Sequence, residues 1–169
     1  MTTIKLLILS DSHGDVGTMI DAVEREQPDE IIHLGDCWRD AEELSYAYPD
    51  IPMSKVPGNC DDGFGKKGRL ELEREGAKIL LAHGHQWRVK AGLALALEVG
   101  REAEADILLY GHTHEADCWQ DGDMWVMNPG TVGGRYAPAT YGVIEVVDGE
   151  VICEIRPATE EQPKRRFLF

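Results

Sequence analysis

Four of the chain's six histidines stand in two short knots, HGH at 83–85 and GHTH at 111–114, each behind an apolar run, ILLA or DILLY. Adjacent imidazoles at a strand end bury little apolar surface, so packing is a weak reason for them. Metal ligation is a stronger reason, and it needs partners. Three further polar clusters supply them: SDSHGD after IKLLIL, GDCWRD after EIIHL and PGNCDD after PMSKV. Together they offer Asp11, His13, Asp36, Asn59, His83, His112 and His114. Imidazole mixed with carboxylate or amide oxygen suits Mn, Fe, Ni, Co or Zn. Seven donors exceed the needs of one tetrahedral zinc, and with one carboxylate bridging they suffice for two ions. Asp11 and His13 lie two apart, as do His112 and His114, so each pair could face one ion from an extended loop. Glycines beside them (Gly14, Gly35, Gly58, Gly84, Gly111) let the backbone turn sharply. Each fragment alone is ordinary: D-x-H often caps a loop, and G-N-x-D is usually a turn. Their order, each closing a strand, points to a site.

The elements must bring five loops to one place. IKLLIL (4–9), EIIHL (30–34), PMSKV (52–56), KILLAH (78–83) and DILLYG (106–111) read as strands. Residues 16–26, 40–48 and 93–105 read as helices, and RLELERE (69–75) as an edge hairpin partner of KILLAH. This alternation predicts βαβ units and a largely parallel sheet. In such sheets the site lies at the carboxyl ends of the strands. Beyond residue 115, two DG turns flanked by apolar runs predict antiparallel hairpins. The expected organisation is one domain over residues 1–157 and a C-terminal tail over 158–169.

The 169 residues can bury a full core, and 43% hydrophobic with 28% charged residues is ordinary globular composition. A net charge of −14 argues against binding nucleic acids or anionic membranes. Bound cations can invert that field locally, so a phosphate substrate stays open. No apolar run approaches a membrane span, the start has no signal-peptide pattern, and the four cysteines form no C-x-x-C pair. A cytoplasmic protein with reduced thiols is expected. Trp38, Trp87, Trp119 and Trp125 read as packing or interface residues. Exposed tryptophans with an apolar tail would favour a dimer or tetramer.

In combination the motifs resemble the calcineurin-like metallophosphoesterases. They stand as Asp11-Ser-His13, Gly35-Asp36, Gly58-Asn59-Cys60-Asp61, His83-Gly84 and Gly111-His112-Thr113-His114. The compact length, the GNCD variant and NPGT (128–131) look most like the family's small bacterial and archaeal phosphodiesterases. The resemblance implies an α/β fold of two facing mixed sheets flanked by helices, in four layers. It implies one ion on Asp11, His13, Asp36 and His114, and a second on Asp36, Asn59, His83 and His112, with Asp36 bridging. The implied reaction is hydrolysis of phosphate diesters by in-line attack of a hydroxide shared by the two ions, manganese being the expected metal. The expected partner is a small phosphate ester, with no nucleic acid and no membrane.

Larger members carry histidine after the asparagine, where this chain has Cys60, a poor acid with an ordinary pKa near 8.5. His85 is a candidate to compensate. Asp61 could orient a ligand imidazole, Asn128 could hydrogen-bond near the site, and Arg135 could touch the substrate phosphate. Two alternatives stand beside the phosphodiesterase: a non-catalytic protein-binding scaffold on the same fold, as in the retromer scaffold subunit, and a phosphomonoesterase or nucleotide phosphatase. Loss of ligand residues would favour the scaffold, and all seven are present.

Overall fold

Leu6 and Ile8 face one side of the first strand, Leu7 and Leu9 the other, and all four are fully buried. A strand without a polar face needs a packed layer on each side. The computed structural model, which describes residues 2–134 and 137–159, supplies both. The first sheet contains β1 (Thr3–Leu9), β2 (Glu30–His33), β3 (Met53–Lys55), β9 (Thr140–Val147) and β10 (Glu150–Pro157), in the order β10-β9-β1-β2-β3. Its β1, β2 and β3 are parallel, while β9 pairs antiparallel with β1 and β10 antiparallel with β9. The second holds β4 (Arg69–Arg74), β5 (Ala77–Ala82), β6 (Ile107–Leu109), β7 (Asp117–Asp121) and β8 (Met124–Asn128), in the order β4-β5-β6-β8-β7. Here β5, β6 and β8 are parallel, with antiparallel β4 and β7 on the edges.

Leu6, Ile8 and Ile32 of the first sheet meet Ile79, Leu81, Ile107, Leu109 and Met127 of the second in an apolar inter-sheet core. Leu7 and Leu9 pack beneath α1 (Val16–Glu26) and α2 (Trp38–Ala47) through Met19, Ala22, Val23 and Leu44. On the far side, Leu80 and Leu108 pack with Ala96 of α3 (Ala94–Glu102). The layers therefore run helix, sheet, sheet, helix. The single largely parallel sheet suggested by strand alternation is split in two, because β5, β6 and β8 bury a second face of their own against α3.

The first helix starts where its spacing predicts, with Asp15 Oδ1 accepting from Thr18 N at 3.0 Å. The second starts at Trp38 rather than residue 40, because Asp61, distant in sequence, accepts its N–H at 2.9 Å. Ala158, the first residue of the expected tail, is buried and donates its N–H to Ala139 O at 2.8 Å; residues 160–169 lie outside the described ones. Trp87 is buried and the other three tryptophans are half-buried, which removes exposed tryptophan as an argument for oligomers. Among the described residues no helix is long and apolar enough to cross a membrane.

Candidate metal centre

Loops leaving the carboxyl ends of β1, β2, β3, β5 and β6 converge at one end of the two sheets. Asp11 is fully buried at the convergence. Its Oδ2 accepts from Ser10 Oγ at 2.5 Å and from His112 N at 3.2 Å. Its Oδ1 is buried and accepts no hydrogen bond, alone in this among the buried side-chain oxygens and nitrogens of the described residues. That oxygen lies 3.2 Å from His114 Nε2 and 3.8 Å from both His13 Nε2 and His83 Nε2. Asp36 Oδ2 is 3.4 Å from His83 Nε2, and Asp36 Oδ1 accepts from Cys60 N at 3.0 Å. The imidazoles also approach in pairs, His13 Nε2 to His114 Nε2 at 3.3 Å and His83 Nε2 to His112 Nδ1 at 3.2 Å.

Two groups of potential ligands have all their donor atoms within 4.8 Å of one another: Asp11, His13 and His114, and Asp11, Asp36 and His83. In this geometry Asp11 belongs to both, whereas the expected bridge was Asp36. Asn59 is exposed in the turn that wraps the Asp36 carboxylate, with its Nδ2 3.7 Å from Cys60 Sγ.

The backbone explains the convergence. Asp11, His13, Asp36, His112 and His114 all have left-handed φ, at 54°, 45°, 43°, 71° and 63°. Such residues cost about 1–3 kcal/mol each and persist where the surroundings over-determine them. The D-x-H and H-x-H pairs are therefore turned inward, not extended as the spacing suggested. Gly58 is required by contact: a Cβ there would fall onto the Asp36 carboxylate. A Cβ at Gly111 would likewise collide with Ser10 and Asp11.

Burial raises the Asp11 carboxyl above the ordinary range, with His83 and Ser10 partly opposing it. Burial also works against ionised Asp36, but His83 and the Cys60 N–H outweigh it and hold that carboxyl well below the usual range. Burial opposes His83 protonation as well, and there Asp36 and Asp11 win, so its pKa is raised. His112 is pushed down to about 4, by burial first and then by His83 and Lys90. Burial lowers His85, aided by His83; its ring centre lies 5.6 Å from that of His83 and 6.1 Å from that of His112. The Cys60 thiol is pushed up by burial and by Asp36.

The donor chemistry fits divalent cations. An unsatisfied buried carboxylate oxygen faces three imidazole nitrogens, and His112 is neutral at pH 7, as a ligand must be. His83 Nδ1 donates to Leu34 O at 2.7 Å, so the neutral ring that a cation requires would turn its Nε2 lone pair toward Asp11 and Asp36.

Among the described residues, the Asp61 side chain accepts hydrogen bonds from backbone N–H groups and not from an imidazole. Its Oδ2 accepts from Asp36 N at 2.9 Å and Gly58 N at 2.8 Å, and its Oδ1 from Trp38 N, so it holds the backbone behind the Asp36 carboxylate. Asn128 donates Nδ2 to Gly111 O at 3.2 Å and Thr113 Oγ1 at 2.8 Å, bracing the GHTH turn. Sequence reading missed three supports. Ser10 holds Asp11 Oδ2, and Thr131 Oγ1 donates to Asp11 O at 2.7 Å. Asp40 accepts from Ser12 Oγ at 2.7 Å and Gly14 N at 2.6 Å, while His33, fully buried, meets Ser12 Oγ at 3.1 Å. Ser10, Asp40 and Thr131 sit inside clusters already marked, SDSHGD, GDCWRD and NPGT, but spacing does not tell which partner each one meets. Arg135 lies outside the described residues.

Known proteins share this architecture. A probable metallophosphoesterase of Bacillus subtilis, YsnB, is 34% identical over 133 residues, covering 76% of this chain and 75% of that protein. A conserved Streptococcus pneumoniae protein described as a predicted phosphoesterase superposes with a TM-score of 0.78 at 27% identity, covering 94% of this chain and 91% of that one. At lower identity, which shows the fold alone, an archaeal phosphodiesterase scores 0.70 (21% identical; 90% and 100% covered). Vacuolar Protein Sorting 29 from Cryptosporidium parvum scores 0.74 (16% identical; 92% and 98% covered). Residues 4–149 match the model of the calcineurin-like phosphoesterase superfamily domain, and the chain belongs to that superfamily.

Proposed function

We propose that this chain is a cytoplasmic metal-dependent phosphodiesterase acting on small phosphate esters. Asp11, His13, Asp36, Asn59, His83, His112 and His114 would hold two divalent ions, manganese first among Mn, Fe, Ni, Co and Zn. The observation that carries the reading is Asp11 Oδ1, buried without a hydrogen bond yet 3.2–3.8 Å from three imidazole nitrogens. A fold gains nothing from leaving a buried carboxylate oxygen unpaired, which costs about 1–3 kcal/mol or more. A cation would remove that cost.

Bound divalent ions supply Lewis acidity toward water and toward the phosphoryl oxygens. The chain's own groups do the rest. Asp11 and Asp36 localise positive charge at the bottom of the site. Leu34 O fixes the His83 ring so that its Nε2 faces inward. Cys60, exposed at the rim with its thiol pKa raised, is neither a strong acid nor a ready nucleophile. Substrates with good leaving groups are therefore favoured, and no covalent enzyme intermediate is called for.

The reading is tested by hydrolysis of bis-p-nitrophenyl phosphate against p-nitrophenyl phosphate, using chelated protein reloaded with Mn²⁺. Metal-dependent turnover with the diester preferred is expected. Turnover of the monoester alone would replace it with a phosphomonoesterase. No turnover of either ester, despite metal uptake, would move the assignment to a scaffold.

A further inference from the structure

Among the described residues Lys5 and Lys78 have a carboxylate within 4.0 Å, while Lys55, Lys66, Lys67 and Lys90 do not. Two of the latter ammonium groups sit on one indole. Lys55 Nζ lies 5.0 Å and Lys66 Nζ 5.1 Å from the centre of the Trp38 ring. Lys66 Nζ also donates to the Asp62 backbone carbonyl at 2.7 Å. Neither lysine forms an ion pair within 4.0 Å among the described residues, although Asp61 and Asp62 are close in sequence. Lys55, Lys66 and Trp38 are all half-buried.

Their place in the fold ties them to the metal centre. Trp38 follows Asp36 by two residues, and the Asp61 carboxylate that accepts its N–H also accepts those of Asp36 and Gly58. Lys55 ends β3 in register with His33, four residues before Asn59. Lys66 comes from the loop that follows Asp61. The indole therefore stands at the β3 side of the site, with both ammonium groups at cation–π distance from its ring centre. Such contacts, by limiting the freedom of the ammonium groups, lower the entropy lost when an anion binds.

We propose that Lys55 and Lys66, carried on Trp38, form a subsite for a second phosphate group of the substrate, next to the scissile phosphate. The proposal rests on the phosphoesterase reading and narrows it to phosphate esters with an additional phosphate. The scissile phosphate belongs at the Asp11 and Asp36 carboxylates, where bound cations offset its charge. The two ammonium groups are left to meet a different anion. The ring's attraction to the lysines makes it a support for them, not a stacking platform for a base.

The test is calorimetric titration of the Mn²⁺-loaded protein with thymidine 3′,5′-bisphosphate and with thymidine 5′-monophosphate. Two solvent-accessible ammonium–phosphate contacts should make the bisphosphate bind roughly two- to thirtyfold more tightly. In the Lys55→Gln/Lys66→Gln double variant the two ligands should bind equally. A thermal melt checks that it folds, and Trp38→Leu, with both lysines retained, should lose part of the preference. Equal binding of the two ligands by the unaltered protein would overturn the subsite, as would a preference that survives the double variant. The phosphoesterase reading fails separately, if the unaltered protein turns over neither nitrophenyl ester; the titration decides the subsite either way.

Discussion

Asp61→Ala removes the acceptor for three backbone N–H groups at once: Asp36 at 2.9 Å, Gly58 at 2.8 Å and Trp38 at 2.9 Å. Hydrogen bonds to a charged acceptor contribute about 1.5–3 kcal/mol each. Asp61 is only half-buried, so water recovers part of that, and half of three bonds at the lower figure gives about 2–3 kcal/mol. For a chain of this length that corresponds to a fall in Tm of about 4–12 °C. The larger consequence is at the metal. Without Asp61, the left-handed Asp36 backbone and the Gly58 turn lose their common anchor, and the carboxylate they aim is no longer held. Removing such a support typically lowers metal affinity about 10- to 100-fold. The assay pairs chemical denaturation of the metal-free protein with calorimetric titration of Mn²⁺. A loss below about 0.5 kcal/mol together with unchanged Mn²⁺ affinity would refute the claim that Asp61 acts through the Asp36 backbone.

Gly58→Ala forces a Cβ onto the Asp36 carboxylate, so metal uptake should fall sharply while stability drops by about 1–3 kcal/mol; unaltered Mn²⁺ binding would contradict the close approach. Asp11→Asn in the metal-free protein should be at least as stable as the parent, because burial disfavours the Asp11 charge, yet it should lose metal binding; a large loss of metal-free stability in urea would tell against this. Glu26 is buried, and although burial raises its pKa, hydrogen bonds from Tyr141, Lys5 and Arg156 hold it below the ordinary range. A depressed folded pKa contributes stability above the unfolded value, about 4.3, and loses it as pH falls through the folded one. The destabilisation by Glu26→Gln should thus be full at pH 7 and shrink below about pH 4; a difference independent of pH would refute it.

Local chemistry was readable where it was local. The apolar spacing of VGTMIDAVERE places α1 at the residues observed. The strand ends could be recognised because each closes on polar residues of ligating type. What escaped depends on contacts across the chain. The start of α2 moves to Trp38 because Asp61 reaches it from 23 positions away. Spacing shows that Asp11 and His13 could share an ion, but not that both take a left-handed backbone, which follows from the surrounding hydrogen bonds. Nothing near Asp40 marks it as the partner of Ser12 and Gly14. The split into two sheets is likewise a matter of which apolar faces meet: Leu6 and Ile8 could have packed on helices instead of on Ile79 and Leu109.

The central claim is that the carboxylates and imidazoles around Asp11 hold two divalent ions. Anomalous X-ray diffraction from crystals grown with Mn²⁺ tests it most directly. The account predicts two anomalous peaks per chain, one contacted by Asp11, His13 and His114 and the other by Asp36, His83 and His112. A single peak, or none among these residues in protein that binds Mn²⁺ in solution, would contradict it.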